Sequence, residues 1–419
     1  MTDPVSLRQM PRWLIRLCGE QKDVFFWLFI GIVLNAGLLY LGNIPPISDE
    51  GFNVPQISAF SHGNYTVEKE LTMLPVYHGV IALLLKVVGG TTLQQARLIS
   101  FLGAAFGVFF FYLLVQRVSS SGKYLRTIQF VTLPILFPFH FLLYTDAWSL
   151  AFVLLSIERA LAEKPTASGV SAWCAVLFRQ PAIFWAGFAW LLLLWRKDED
   201  FLPPFSILRQ RLRDGWVFVL LFLSFVVFIL LNGGVAIGDR QHQQASLNLA
   251  NVWFLLLLIF CLFAPEQFCS ARKLVHLCNR RPIILGGIGG LFTIYSFTYA
   301  IHHVYNQPGL WFFLRNRILF WSTTILWLKL IAFCLIMVAL CYLWYKPLPE
   351  RRMYLLYPVA FLSVLFLPLI EQRYYLPAFA IFLAFRERSN PWQEWALIGI
   401  YGVASMLLSW GIARHAFFL

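Results

Sequence analysis

Long apolar stretches separated by short polar segments run along almost the whole chain. The first, Val24 to Leu41, has no small-residue cleavage site after it, which indicates a retained span rather than a cleaved signal peptide. Stretches of roughly 20 apolar residues have the length that an α-helix needs to cross a bilayer. Inside the bilayer only helices and closed barrels satisfy their backbone hydrogen bonds. The pattern therefore predicts an all-α polytopic membrane protein.

The later apolar stretches are uneven in length. They lie at about 97–117, 127–143, 146–162, 169–178, 182–195, 216–232, 249–264, 283–301, 320–345, 353–369, 373–386 and 394–413. Several are short for a spanning helix, which favours broken or tilted helices around a cavity over a plain bundle. One further stretch, Leu74–Val88, is ambiguous, and we interpret it as a helix that lies at the interface or re-enters the membrane.

The composition supports the membrane class, since 59% of the 419 residues are hydrophobic and only 13% are charged. An average soluble domain has about 25% charged residues. The net charge of +13 comes from 33 Lys and Arg against 20 Asp and Glu. In a membrane protein such an excess indicates basic cytoplasmic loops rather than nucleic-acid binding. The seven cysteines form no CxxC pair, so we expect neither a disulfide framework nor a zinc site.

The distribution of the basic residues sets the expected topology. If Leu74–Val88 does not span, 23 of the 33 Lys and Arg residues fall in cytoplasmic segments, namely 1–23, 117–126, 159–168, 196–214, 265–282, 346–352 and 386–393. If Leu74–Val88 spans, Arg117, Lys123 and Arg126 move outside and every later loop is inverted. The positive-inside rule therefore favours 13 spans, in a range of about 12–14, with the N-terminus inside.

The expected domain organisation is simple. A basic cytoplasmic N-terminal segment covers 1–23, and a single transmembrane domain covers 24–419. The first outer loop of that domain covers 43–96 and contains the interfacial helix. The chain shows no internal repeat and no separate soluble domain.

Polar groups that membrane insertion does not explain collect on the predicted outer face. Ionisable residues at membrane depth are costly and usually face a cavity or a partner. The groups are Ser48-Asp49-Glu50, Tyr144-Thr145-Asp146, Phe178-Arg179-Gln180, Gly238-Asp239-Arg240 with His242, Arg315 with Arg317, and Glu371-Gln372-Arg373. Six such groups on one face predict a shared site that opens to the outer side.

Two neighbouring carboxylates are the candidate catalytic groups. Asp49 and Glu50 follow Pro45-Pro46 at the outer end of the first span, where the helix must stop. A carboxylate there suits a general base for a hydroxyl nucleophile, and a solvated acidic loop start is the alternative. Asp146 lies between two apolar stretches with almost no loop, so a turn-capping role is the alternative to a functional one.

Outer arginines are the candidate ligands for an anionic group, since a guanidinium grips phosphate with a planar fork of donors. They are Arg179, Arg240, Arg315 and Arg373. For Arg179, which precedes Pro181, hydrogen bonding in a tight turn is the alternative. For Arg373, an ion pair with Glu371 is the alternative.

Neither metal nor nucleotide chemistry is indicated. The histidines 242, 302 and 303 are sparse and irregularly spaced for a metal site. The glycines between 286 and 290 lie inside an apolar stretch, which indicates close helix packing rather than a nucleotide-binding loop. We therefore expect no metal and no cofactor.

Several motifs resemble those of the α-1,2-glucosyltransferases that add the terminal glucose to the lipid-linked N-glycan precursor. Residues 48–56, SDEGFNVPQ, resemble the family's M-D-E-x-F-H-x-P-Q, and residues 72–77, TMLPVY, occupy the place of its T-T-L-P-G-L-Y. Later motifs match in the same order: Tyr144-Thr145-Asp146 with Y-T-E/D, Phe178-Arg179-Gln180 and Trp185 with F-R-Q-T-N-I-x-W, Gly238-Asp239-Arg240 with G-D-R/K, and Arg373-Tyr374-Tyr375-Leu376-Pro377 with R-Y-x-x-L-P.

The chain also departs from this pattern. The family's D-N-R-H-Y is present only as 314–317, LRNR, and the polar residues after its G-D-R are replaced by Gln243, Asn248 and Asn251. These changes indicate a distant relative that acts on another acceptor. We expect a multi-pass protein of the bacterial inner membrane, with the endoplasmic reticulum membrane as the alternative and the active site on the periplasmic or lumenal side.

The resemblance implies a GT-C glycosyltransferase that uses a polyprenyl-phosphate sugar at the non-cytoplasmic face. The implied partners are dolichyl- or undecaprenyl-phosphate-glucose, a glycan or lipid-linked glycan as acceptor, and the lipid bilayer, without nucleic acid. The implied reaction is one inverting displacement in which Asp49, or else Glu50, is the base. Arg373, Arg179 and Arg315 then hold the departing phosphate. The residues expected to orient the sugar or the acceptor are Asp146, Gln180, Asp239, Arg240, His242 and Tyr374.

Two other functions remain open at this stage. A lipid or solute transporter is typified by paired repeats and charges at mid-membrane, whereas here the charges gather at one face. A GT-C transferase for mannose, arabinose or galactose is the alternative within the enzyme class, because pocket shape selects the sugar.

Overall fold

The computed structural model describes residues 12–119, 121–197, 199, 203–240, 244–307 and 316–418. Within these ranges the chain forms eighteen α-helices and no β-strand. The prediction of an all-α polytopic membrane protein is therefore confirmed. Two residues of the expected site, His242 and Arg315, lie outside the described residues.

Most of the helices coincide with apolar stretches of the sequence. They are α1 (Arg12–Leu41), α2 (Glu50–Ser61), α3 (Val76–Val88), α4 (Leu93–Val118), α5 (Lys123–Val131), α6 (Thr145–Leu161), α7 (Pro165–Phe178), α8 (Ile183–Leu194), α9 (Phe205–Asp214), α10 (Trp216–Asn232), α11 (Leu249–Leu262), α12 (Ala264–Arg280), α13 (Ile283–Thr298), α14 (Arg317–Thr324), α15 (Leu326–Tyr345), α16 (Leu356–Leu365), α17 (Leu376–Phe385) and α18 (Pro391–Ala413). Helices α2, α9 and α12 lie in segments that the sequence pattern assigned to loops.

Local sequence signals determine where two of the long helices begin. The Thr92 side chain accepts a hydrogen bond from the Gln95 backbone N–H, and the Gln95 side chain accepts one in return, which caps α4. Asn390 and Gln393 form the same reciprocal box at the start of α18. Such boxes satisfy backbone donors that the first helical turn leaves without partners.

Four described helices are long and apolar enough to cross a membrane alone. They are α1 over Gln21–Leu41, α4, α15 and α18. Two consecutive pairs, α9–α10 and α11–α12, meet the criterion jointly but are bent by 70° and 109°. Shorter apolar helices, including α3, α7 and α13, make up much of the rest. Short and bent helices agree with the expected broken architecture, and the count of 13 spans stays a prediction.

The first outer loop folds into two helices, α2 and α3, that pack on each other. Asn53 on α2 donates to the Leu143 carbonyl oxygen at 2.8 Å and contacts Nε2 of His78 on α3 at 2.9 Å. Burial lowers the pKa of His78 to about 4, so the ring is neutral at physiological pH. These buried bonds fix the outer loop against the turn that precedes α6.

Close packing of α4 on α6 forms the centre of the bundle. A Cβ at Gly103 on α4 would lie 2.5 Å from the Trp148 ring on α6, so only glycine permits this crossing. The prediction of close packing at the glycines of α13 is wrong, because a Cβ at Gly286, Gly287, Gly289 or Gly290 meets no other described part of the chain within 4 Å.

The two ends of the bundle gather different loops. At one end, ion pairs join the loops that the sequence assigns to the cytoplasm. They are Lys123–Asp23 (3.3 Å), Arg196–Glu163 (3.4 Å), Lys197–Glu350 (3.8 Å), Lys346–Glu266 (2.7 Å) and Arg386–Glu266 (2.5 Å). The opposite end gathers the turns near residues 49, 146, 179, 238 and 373. This separation agrees with the topology expected from the basic residues.

Candidate active site

A tight turn before α2 directs two adjacent carboxylates to different surroundings. Ser48 has a positive φ of 52°, and α2 begins at Glu50. The backbone N–H of Asp49 donates to the Tyr144 hydroxyl oxygen at 3.1 Å, which ties the turn to the start of α6. Glu50 is fully buried, whereas the Asp49 side chain keeps 19% of its surface exposed.

The buried carboxylate of Glu50 anchors the first loop. It forms an ion pair with the buried guanidinium of Arg97 and accepts backbone N–H bonds from Leu143 at 2.7 Å and Ile47 at 3.0 Å. Arg97 in turn donates to the Ile44 carbonyl oxygen at 2.6 Å. Both oxygens of Glu50 therefore have donors, and the group is enclosed by the polypeptide.

The partly exposed carboxylate of Asp49 faces Arg373. Nη1 of Arg373 lies 2.6 Å from Oδ2 of Asp49, and Nε of the same guanidinium pairs with Glu371. Arg373 is largely buried, and its guanidinium lies 5.5 Å from the centre of the Tyr144 ring. A single arginine therefore bridges two carboxylates at the end of the bundle.

A second ion pair lies beside the first. Arg179, which begins the turn between α7 and α8, pairs with Oδ1 of Asp146 in the first turn of α6. Oδ2 of Asp146 is buried and has no hydrogen-bond partner among the described residues. The Tyr374 ring lies between the two guanidinium groups, 5.1 Å from that of Arg179 and 5.8 Å from that of Arg373.

These side chains surround a pocket of about 430 Å³, a volume that includes its open mouth. Its polar lining combines two arginines, a carboxylate and two serines, and its apolar lining includes the indole of Trp185. The lining residues are Asp146, Ser149, Leu150, Arg179, Pro181, Ala182, Trp185, Ser363, Leu367, Arg373, Tyr374, Leu376 and Pro377. Asp49 lies at its edge through its contact with Arg373.

The Gly-Asp-Arg segment braces the first outer loop instead of lining this pocket. Backbone N–H groups of Gly238 and Asp239 donate to the carbonyl oxygens of Leu71 and Lys69, each at 2.8 Å. A Cβ at Gly238 would overlap both carbonyl groups, so the pairing requires glycine. The Gln180 side-chain amide reaches the Thr72 carbonyl oxygen of the same loop segment at 3.3 Å.

The remaining polar groups of this segment are held by neighbours. Oδ2 of Asp239 accepts a hydrogen bond from the Tyr305 hydroxyl at 3.0 Å. Arg240 donates to the Asn232 side chain at 2.8 Å. Neither side chain lines the pocket, and their role in orienting the sugar or the acceptor stays a prediction.

The structure thus brings together five of the residues expected at the site: Asp49, Asp146, Arg179, Arg373 and Tyr374. Arg97 was missed by the sequence analysis, although it lies at the start of the 97–117 stretch. An arginine in a spanning helix pairs with a carboxylate or with backbone carbonyl groups, and the carboxylate that pairs with Arg97 is Glu50. Among the described residues, no three His, Cys, Asp or Glu side chains come together to hold a metal ion.

Comparison with known proteins gives one consistent family. The model of the DIE2/ALG10 family matches residues 44–200 and 199–384. Similar proteins from rat and human are 25% and 26% identical over 311 residues, which is 61% of this chain and 66% of each relative. A Drosophila melanogaster protein is 24% identical over 89% of this chain and 91% of its own length. All three are named Dol-P-Glc:Glc(2)Man(9)GlcNAc(2)-PP-Dol alpha-1,2-glucosyltransferase. No solved structure matches the chain.

Proposed function

This chain belongs to the DIE2/ALG10 family, and we propose that it is a membrane glucosyltransferase. It moves glucose from a polyprenyl-phosphate donor to a hydroxyl of a lipid-linked glycan at the non-cytoplasmic face. The observation that carries this proposal is the contact of Asp49 with Arg373 at the edge of the pocket. A carboxylate and a phosphate-binding cation thereby lie side by side, as glycosyl transfer from a phosphate leaving group requires.

The reaction is one displacement at the anomeric carbon of the donor. Asp49 takes the proton of the acceptor hydroxyl as its oxygen bonds to that carbon. The bond between the carbon and the phosphate oxygen breaks, and the polyprenyl phosphate leaves with the electron pair. Arg373 stabilises the charge that develops on the phosphate. Attack opposite the leaving group inverts the configuration of the sugar.

Asp49 is favoured over Glu50 by its surroundings. Both oxygens of Glu50 accept hydrogen bonds inside the protein, and removal of either partner leaves a buried charge. Asp49 keeps part of its surface exposed and pairs with Arg373 across the site, while its Oδ1 accepts a hydrogen bond from the Ser48 hydroxyl. When the donor phosphate binds Arg373, it competes with Asp49 for the guanidinium. The base is thereby released as the leaving group becomes stabilised.

The pocket supplies groups for the sugar. Oδ2 of Asp146 is a buried acceptor without a partner among the described residues, and a sugar hydroxyl supplies the missing donor. The hydroxyls of Ser149 and Ser363 donate to backbone carbonyl oxygens and can each accept a hydrogen bond from a sugar hydroxyl, and Trp185 adds an apolar part to the lining. Arg179, held by Asp146, lies within the same pocket to share the phosphate with Arg373.

The relatives described above favour a dolichyl donor. Their names specify Dol-P-Glc, and they come from animals. We therefore propose dolichyl phosphate glucose as the donor, in preference to undecaprenyl phosphate glucose. For the same reason we propose the endoplasmic reticulum membrane in preference to the bacterial inner membrane. The departures near residues 243–251 and 314–317 bear on the acceptor more than on the donor.

The proposal is tested with purified protein, dolichyl phosphate glucose and a lipid-linked oligosaccharide, with mass spectrometry of the acceptor. We expect the acceptor to gain one hexose. A second reaction contains dolichyl phosphate mannose as the sole donor. Transfer of a hexose in this reaction, and none from dolichyl phosphate glucose, would show a transferase for another sugar. Movement of the sugar lipid across a vesicle membrane without a glycosidic bond would contradict the enzymatic function and favour a transporter.

A further inference from the structure

Helix α12 lies across the end of the bundle that is opposite the candidate site. It follows α11 after a bend of 109°, whereas α11 runs through the bundle among buried neighbours. Glu266 in its first turn contacts Lys346, the residue after α15, at 2.7 Å. Helix α12 therefore starts where neighbouring spans end and runs at a steep angle to α11.

The orientation of α12 is fixed by buried polar contacts at its start. Glu266 pairs with Arg386 at 2.5 Å and accepts a hydrogen bond from the Tyr342 hydroxyl at 2.7 Å. The Gln267 amide donates to the Ile259 carbonyl oxygen of α11 at 2.9 Å. These contacts determine which face of α12 turns away from the protein.

That outward face is amphipathic. Phe268 and Val275, one helical repeat of seven apart, are 68% and 61% exposed and form an apolar edge. Beside this edge lie four exposed basic residues, Arg272, Lys273, Arg280 and Arg281, and residues 267–281 contain no Asp or Glu. A helix with adjoining apolar and basic edges has the pattern of a helix that lies in a membrane interface.

Exposed aromatic side chains locate the membrane interface at the same level. Trp344 and Tyr345 end α15, and Trp392 and Trp395 begin α18. The three tryptophans are exposed by more than half of their surface, at 83%, 57% and 60%. Tryptophan and tyrosine concentrate where the acyl chains meet the headgroups. The Lys273 ammonium lies 4.7 Å from the centre of the Tyr345 ring, so the basic edge of α12 is at this depth.

We infer that α12 is an in-plane helix whose basic edge binds the anionic headgroups of the membrane leaflet opposite the candidate site. Phe268 and Val275 insert among the acyl chains, and Arg272, Lys273, Arg280 and Arg281 contact lipid phosphates and carboxylates. The charge complementarity favours anionic phospholipid over a protein partner, since every Lys, Arg, Asp or Glu in residues 267–281 is basic and the neighbouring edge is apolar. This surface is independent of the transfer reaction.

Lipid retention tests the inference. The intact protein is purified from mixed phosphatidylcholine and phosphatidylserine, and bound lipids are counted by native mass spectrometry. A variant with Arg272→Gln, Lys273→Gln, Arg280→Gln and Arg281→Gln is compared with one that replaces four exposed basic residues of the opposite end, Lys69→Gln, Lys86→Gln, Arg317→Gln and Arg414→Gln. We expect at least about fivefold less retained phosphatidylserine in the first variant only, a factor that corresponds to one basic residue near a charged surface. Equal retention in both variants would overturn the inference.

A depth measurement gives an independent answer if the fourfold variant does not fold. Single-cysteine proteins carry a fluorophore at position 268 or 280, and quenching by brominated lipid is compared with quenching by aqueous iodide. We expect lipid quenching at 268 and iodide quenching at 280. Iodide quenching at both positions would show that α12 lies in water and would overturn the inference.

Discussion

Nη1 of Arg373 lies 2.6 Å from Oδ2 of Asp49, across a sequence separation of 324 residues. The carboxylate proposed as the base and the cation proposed for the phosphate thus neutralise each other in this arrangement. A carboxylate that is paired with arginine is a weak base, because the pairing stabilises its charged form. Donor binding that draws Arg373 towards a phosphate therefore couples activation of Asp49 to the presence of the leaving group.

Replacement of Arg373 tests the leaving-group role. We expect Arg373→Ala to lower kcat by about 10²–10³-fold, the usual loss when one preorganised donor to a developing charge is removed. Arg373→Lys keeps the charge but loses the planar fork, so it recovers only part of the rate. Arg414→Ala, at an exposed arginine beside Trp410, is the matched control and should retain the normal rate. A normal kcat in Arg373→Ala would remove this residue from the mechanism.

Variants of the Asp146–Arg179 pair distinguish a role in stability from a role in glucose transfer. In Asp146→Asn the guanidinium of Arg179 is left buried without its partner, which costs about 3–5 kcal/mol of stability in comparable pairs. Asp146→Asn with Arg179→Gln should regain most of that stability without regaining activity, because sugar and phosphate contacts are both lost. Thermal unfolding in detergent and initial transfer rates report the two effects. A double variant that transfers glucose normally would show a purely structural pair.

Glu50 is expected to act through Arg97. Glu50→Gln leaves the buried charge of Arg97 without a carboxylate partner, so we expect a large loss of stability, of about 3–5 kcal/mol. A second change in the same variant, Arg97→Met, should restore part of the lost stability, since it replaces the buried charge of Arg97 with an apolar side chain. Thermal unfolding midpoints of the two variants give the answer. Unchanged stability in Glu50→Gln would show that this pair does not anchor the first loop.

Gly238 is expected to hold the first outer loop in place. In Gly238→Ala the Cβ would overlap the carbonyl groups of Lys69 and Leu71, so the paired segments must separate. Gly234→Ala is the control, because a Cβ there meets no described atom within 4 Å. Limited proteolysis should cleave near residues 62–72 faster in Gly238→Ala alone. Equal cleavage in both variants would contradict the bracing role.

Sequence patterns anticipated most of the helices and several polar groups of the site, because spanning helices and their terminal charges are local features. Which of these polar groups pair with each other could not be predicted, because the pairs join residues that are distant in the sequence. Adjacent residues Asp49 and Glu50 face different surroundings because consecutive residues at a helix start point in different directions, and the turn at Ser48 sets where α2 begins. Helix α2 was missed since its 12 residues have little apolar periodicity and contain Pro55. Helix α12 was not predicted because its basic residues are also typical of a cytoplasmic loop.

The role of Asp49 as the base is tested by measuring both donor binding and glucose transfer in Asp49→Asn. The claim is that Asp49 is the base and competes with the donor phosphate for Arg373. Binding of labelled dolichyl phosphate glucose is measured by filtration, and transfer is measured in a single turnover. We expect donor affinity at least equal to that of the unmodified protein and transfer slowed by about 10²–10⁴-fold, the usual contribution of a general base. Normal transfer by Asp49→Asn would contradict the claim.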